Sequence, residues 1–122
     1  MFEVSVEASF SSAHQLRGYK GKCENLHGHN WKVEAVVRSE RVDDLGMVID
    51  FQKLKGSLHQ ILEELDHRNL NDLPPFINQN PSSENIAAYL YRELKKKVSC
   101  APARITVWES EKCSATYFEV SE

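Results

Sequence analysis

The residues best placed to do chemistry gather first at His27-Gly28-His29. On an extended chain, residues two apart project from one face, so both imidazoles reach a common point and Gly28 leaves room between them. His14 lies upstream, on the apolar parity of its own stretch, and pairing the two stretches as a hairpin brings it beside the others. Three neutral imidazoles with no nearby carboxylate or second thiol suit a tetrahedral Zn2+ with its fourth position open, the catalytic kind of zinc site. Cys23 stands four residues before His27, in the loop that would hang over such a metal. It is either a fourth ligand, which closes the site, or a separate thiolate serving as base or nucleophile; spacing leaves both readings open.

Two further groups carry chemical potential. In Asp66-His67 a carboxylate adjoins an imidazole, which fixes a tautomer and raises basicity as a proton relay requires, provided the chain turns there. Glu109 shares the parity of Ala103, Ile105 and Val107, and a carboxylate on an apolar face must find donors, such as the two parallel N–H groups of a guanidine-like ring edge. Cys100 and Cys113 have no such company and are expected to be plain thiols.

Periodicity supplies the elements that must hold these groups. Even positions from Phe2 to His14 are mostly apolar, and odd positions from His27 to Val37 repeat the pattern, giving two strands separated by a Gly-containing loop over Arg17 to Asn25. A turn at Asp43-Asp44-Leu45-Gly46 leads into an expected short third strand, Met47-Val48-Ile49. Asp50 caps a helix carrying Phe51, Leu54, Leu58, Ile61, Leu62 and Leu65 at spacings of three and four, ending near Asp66. Prolines forbid a helix between His67 and Pro81. Ser82 or Ser83 caps a second helix, whose Lys95-Lys96-Lys97 end complements its dipole and which stops by Pro102. Two strands close the chain, Ala103 to Glu109 and Ala115 to Val120. The order ββ(β)ααββ predicts an α+β fold: one domain over residues 1–122, with an antiparallel β-sheet and two α-helices packed on one face.

Composition sets outer bounds. The 122 residues are 41% hydrophobic and 27% charged, values of a chain that folds. A core this small buries only about two-thirds of the unfolded surface, so a bound ion or subunit contact is expected to supplement it. The net charge of -3 argues against nucleic acid as a partner. No apolar stretch approaches the ~20 residues that span a bilayer. An N-terminus without a secretory pattern and an odd number of cysteines, three, point to a cytoplasmic protein with reduced thiols.

In order along nearly the whole chain, Phe10-Ser11-Ser12-Ala13-His14, Cys23-Glu24-Asn25-Leu26-His27-Gly28-His29, Gly46-Met47-Val48-Ile49-Asp50-Phe51, Leu65-Asp66-His67-Arg68-Asn69-Leu70-Asn71, Asn80-Pro81-Ser82-Ser83-Glu84-Asn85 and Val107-Trp108-Glu109 form a combination that resembles the 6-pyruvoyl-tetrahydropterin synthase family. It is most similar to the bacterial branch of that family, the 6-carboxy-5,6,7,8-tetrahydropterin synthases of queuosine biosynthesis. The resemblance implies a T-fold, or tunnelling fold, whose subunits join sheet edges into a barrel, commonly a homohexamer of two stacked trimers with active sites between subunits. It makes His14, His27 and His29 the zinc ligands, Cys23 the proton acceptor, Asp66 and His67 its relay partners, and Glu109 the anchor of the pterin ring. The implied reaction is that of a zinc-dependent lyase converting 7,8-dihydroneopterin triphosphate to 6-carboxytetrahydropterin, acetaldehyde and triphosphate. Arg17, Lys20 and Lys22 are then candidates to meet the triphosphate.

The resemblance leaves other outcomes to be distinguished. Some relatives place a glutamate before His-Gly-His and release 6-hydroxymethyl-7,8-dihydropterin for folate synthesis, which makes Glu24 an alternative base. Others make 6-pyruvoyl-tetrahydropterin. A non-catalytic, zinc-stabilised pterin- or purine-binding module would bind without turnover and use Cys23 as a metal ligand.

Overall fold

The computed structural model describes residues 1–120, apart from the side chain of Cys23. Four strands, β1 (Phe2–His14), β2 (His27–Ser39), β3 (Pro102–Trp108) and β4 (Ser114–Tyr117), form an antiparallel sheet in the order β1-β2-β3-β4. Between β2 and β3 come helices α1 (Phe51–Glu63) and α2 (Ser83–Lys97). The expected α+β arrangement is therefore present, and its alternation dictates which face is covered. Phe10, Trp31, Val33, Ala35, Ile105 and Val107 all lie on the buried face, against Leu54, Leu58 and Ile61 of α1 and Ile86, Leu90 and Leu94 of α2. Removing each of the larger of these side chains from water contributes about 1.5–3 kcal/mol, enough to fix the register because a one-residue slip would expose the entire row.

Both helices start where the sequence places a cap. The Asp50 carboxylate accepts from the Gln52 amide at 2.8 Å, and the Ser82 hydroxyl accepts from the Asn85 amide at 3.2 Å. The segment that joins them contains two short 3-10 turns, Leu70–Asp72 and Pro74–Phe76, which bury Leu70 and Phe76.

The expected third strand does not form. Asp43 Oδ1 accepts from the amides of Leu45 and Met47 at 2.9 and 3.0 Å, and the Asp43 amide donates to the Met47 carbonyl at 2.9 Å. This closed turn, with Gly46 at φ 80, consumes the groups a ladder would need. Val48 and Ile49 still pack on the core, so their apolar pattern reflects burial without strand pairing. The other ends move slightly: α1 stops at Glu63, β3 begins at Pro102, and β4 ends at Tyr117.

Candidate metal centre and active site

The β1–β2 register pairs His14 with His27 and Ser12 with His29, which brings all three imidazoles to the end of the covered sheet face. Ring centroids are 4.6 Å apart for His14–His27, 4.7 Å for His27–His29 and 5.2 Å for His14–His29. Main-chain carbonyls decide which nitrogens face inward. His14 Nδ1 lies 2.7 Å from the Pro81 carbonyl and His27 Nδ1 lies 2.7 Å from the Asn25 carbonyl. A carbonyl only accepts, so both Nδ1 atoms carry hydrogen, and in the neutral rings both Nε2 atoms present lone pairs. Those two Nε2 atoms are 3.0 Å apart. Two facing lone pairs at that distance repel unless a cation lies between them.

Burial makes a proton the poorer cation. It holds the His14 imidazole below the ordinary histidine range, outweighing the opposing pull of the Pro81 carbonyl and the Glu109 charge. The His29 imidazole is lowered by burial in the same way. Neutral imidazole is the metal-binding form. His29 Nε2 is buried, and Glu109 Oε1 lies 2.7 Å away.

Glu109 corrects the expectation that no carboxylate is near. Its Oε1 also stands 3.6 Å from His14 Nε2 and 4.0 Å from His27 Nε2, and one ligand atom from each of the four residues falls within a 4.8 Å group. A tetrahedral zinc with ligands at about 2.0–2.1 Å separates its donors by roughly 3.3 Å. These residues therefore fit a divalent cation, with imidazoles typical of zinc and a carboxylate to offset its charge. Trp31 forms the floor. Its ring meets His14 and His29 edge-on at 4.8 and 5.1 Å, and its Nε1–H donates to the Ser12 carbonyl at 3.2 Å. Trp31 shares parity with His27 and His29, a signal for its place here; the carbonyls of Pro81 and Asn25 have no signature in side-chain pattern.

The chain does turn at Asp66-His67. His67 has φ 55, and the turn brings its Nδ1 to 3.0 Å from Asp66 Oδ2. The pair is largely exposed, with 81% of the His67 side chain open, and among the described residues no hydrogen bond or ion pair links it to the imidazole group. Cys23 belongs to a 3-10 turn, Lys22–Glu24, in the loop before β2, but its side chain lies outside the described residues. Glu24, Lys20 and Lys22 are exposed in that loop. The Arg17 guanidinium, by contrast, donates to the carbonyls of Phe76, Asn71 and Gln79 at 2.6, 3.2 and 3.3 Å. Its donors are directed at the 71–80 segment. Gly28 does not separate the imidazoles sterically: a Cβ there would point the other way, 3.9 Å from the Ser12 carbonyl, an ordinary contact. Cys100 is half-buried beside the core and Cys113 is exposed, both free thiols.

Comparison with known proteins gives one consistent answer. The family model for 6-pyruvoyl tetrahydropterin synthase matches residues 3–120. A 6-carboxy-5,6,7,8-tetrahydropterin synthase of Synechocystis sp. is 36% identical, over 97% of this chain and 94% of that protein. A dihydroneopterin monophosphate aldolase of Pyrococcus furiosus is 37% identical, over 87% of this chain and 88% of its own length. The structure of Caenorhabditis elegans 6-pyruvoyl tetrahydropterin synthase superposes with a TM-score of 0.86 at 36% identity, covering 98% of both chains. The covered sheet, the converging imidazoles and these similarities agree, and the chain belongs to the 6-pyruvoyl tetrahydropterin synthase family.

Proposed function

We propose that the chain is a zinc-dependent 6-carboxy-5,6,7,8-tetrahydropterin synthase of queuosine biosynthesis. It would convert 7,8-dihydroneopterin triphosphate and one water to 6-carboxytetrahydropterin, acetaldehyde and triphosphate. The observation that carries the reading is the pair of inward Nε2 lone pairs of His14 and His27, 3.0 Å apart, with His29 Nε2 buried beside them and Glu109 Oε1 2.7 Å from it. The similarity to the Synechocystis synthase supports the choice of pterin chemistry.

In this reading His14, His27 and His29 hold the zinc, which when bound polarises substrate oxygens and lowers the cost of negative charge nearby. Cys23, as thiolate, accepts a proton from the substrate side chain, and Asp66 with His67 passes it on. The exposure of Asp66 and His67 in the single chain suits a site completed by a neighbouring subunit, as in a homohexamer. Glu109 is partly open, 31% exposed at its side chain, and by rotating away from His29 accepts the 2-amino and N3 hydrogens of the pterin. Lys20 and Lys22 are free to meet the triphosphate; the carbonyl contacts of Arg17 give it a supporting role there.

Incubating purified protein with 7,8-dihydroneopterin triphosphate and identifying products by mass tests the assignment. Equimolar 6-carboxytetrahydropterin and acetaldehyde are expected, and binding without turnover would overturn it. The similarity to an aldolase of the same length class favours a second reading, in which Glu24 is the base and 6-hydroxymethyl-7,8-dihydropterin is released. Cys23→Ala separates the two: it abolishes the carboxy product under the first reading, and hydroxymethyl production that survives it indicates the second.

A further inference from the structure

The outer edge of β1 is paired by the segment that follows α1, and the pairing continues past the end of the strand. Ser11 donates its amide to Asp66 Oδ1 at 2.8 Å and accepts from the His67 amide at 2.6 Å, and the Ala13 amide donates to the Arg68 carbonyl at 3.0 Å. Beyond His14, side-chain amides take over. Asn71 Oδ1 accepts from the Gln15 amide at 2.9 Å while Asn71 Nδ2 donates to the Gln15 carbonyl at 3.0 Å. Asn80 does the same for Arg17, accepting from its amide at 2.8 Å and donating to its carbonyl at 3.1 Å. A primary amide offers one acceptor and donors much as a peptide does, so each asparagine stands in for a residue of a neighbouring strand.

The two asparagines differ in what they are joined to. Asn80 is followed by Pro81, whose carbonyl accepts from His14 Nδ1 at 2.7 Å, and the carbonyl of Asn80 itself accepts from Asn85 Nδ2 at 2.8 Å in the first turn of α2. A closed circuit results: the backbone from His14 to Arg17, the Asn80 side chain, the Pro81 carbonyl, and back to His14 through its ring. The fixed φ of proline removes one of the two backbone rotations between the Asn80 peptide and that carbonyl, once Asn80 is held at both ends. Asn71 makes the same kind of clamp on Gln15, within that backbone stretch, but it has no link to the Pro81 carbonyl.

We propose that Asn80 is a positioning residue for the metal centre, holding the Pro81 carbonyl in register with His14 so that this imidazole presents Nε2 to the ion. The inference rests on the zinc reading above, and it adds a source of metal affinity that lies outside the ligand set. Partners that fix the tautomer and orientation of a ligating histidine are typically worth 10- to 100-fold in metal affinity.

The test compares wild type, Asn80→Ala and Asn71→Ala by zinc competition against a chromophoric chelator, well below the melting temperature of each metal-free protein. Asn80→Ala loosens the partner without removing it, and is expected to weaken zinc by about 10-fold, the lower end of that range, and to alter the visible spectrum of the cobalt-loaded protein. Asn71→Ala is expected to lower the melting temperature of the metal-free protein as much as Asn80→Ala does, while leaving metal affinity near the wild-type value. Should Asn80→Ala not fold, Asn80→Asp keeps the acceptor for the Arg17 amide, loses the donor to its carbonyl, and carries the same expectation. Equal weakening in both variants, or unchanged affinity when Asn80 is replaced, overturns the inference alone. Failure of the wild type to take up zinc overturns it together with the reading on which it rests.

Discussion

At the residue scale, the decisive contacts are those that fix hydrogen on one side of an imidazole. Pro81 and Asn25 take the Nδ1 hydrogens of His14 and His27, which leaves lone pairs on the nitrogens that face each other. Glu109, beside them, provides charge, and Glu109→Gln removes that charge while keeping the shape. A hydrogen bond to a charged group contributes about 1.5–3 kcal/mol, so the variant should raise KM for the pterin substrate roughly 10- to 150-fold with zinc content unchanged. Steady-state kinetics alongside elemental analysis would show it, and loss of zinc instead would make Glu109 chiefly a metal ligand. Asp66 allows a prediction in pH. The Ser11 amide, and after it His67, hold its carboxyl below the usual range. A depressed folded value means the contribution to stability is present above the unfolded value, about 3.9, and is lost as pH falls through the folded one. Asp66→Asn should therefore melt below wild type near neutrality and converge with it in strong acid; a constant gap in melts across that range would contradict the assignment.

At the scale of elements, the sheet and helices follow from period and caps, and the loops do not. Alternation from Phe2 to His14 and from His27 to Val37 fixed which side chains are covered, and the hairpin register then carried His14 to His27. A short apolar run after a turn does not make a strand at Met47-Val48-Ile49, because Asp43 engages the backbone groups of Met47. The carbonyls of Pro81 and Asn25 were illegible for a plain reason: main-chain groups are common to all residues, and only the path of the loops aims them. Asn71 and Asn80 stood in the quoted motifs, yet their pairing with Gln15 and Arg17 depends on how the 66–80 segment lies along β1. The cap of α2 offers a test at this level. Ser82→Ala removes the acceptor for the Asn85 amide and should cost about 1 kcal/mol in urea unfolding. Unchanged stability would mean that tertiary packing alone holds this helix start.

At the scale of the whole molecule, one face of the sheet lies under the helices, while the other carries Glu3 with Arg38 and Arg104 around it. Phe2, Leu45, Phe51, Phe118 and Val120 are exposed in the single chain, side chains that the subunit contacts of the proposed homohexamer would be free to cover. Light scattering is expected to give a mass of six 14.0 kDa chains, and a monomer at assay concentrations would contradict the assembly. Removing zinc should destabilise the protein, since saturation at about 1,000 times Kd contributes roughly 4 kcal/mol; the melting temperature would fall on chelation and return when zinc is restored. Trp31 is fully buried with its ring edge against His14 and His29, whereas Trp108 has Lys32 above it, 4.2 Å from the ring centroid. The enclosed indole thus carries a built-in optical gauge: its emission responds to whatever occupies the neighbouring nitrogens, and filling of the site can be followed without dye, label or substrate.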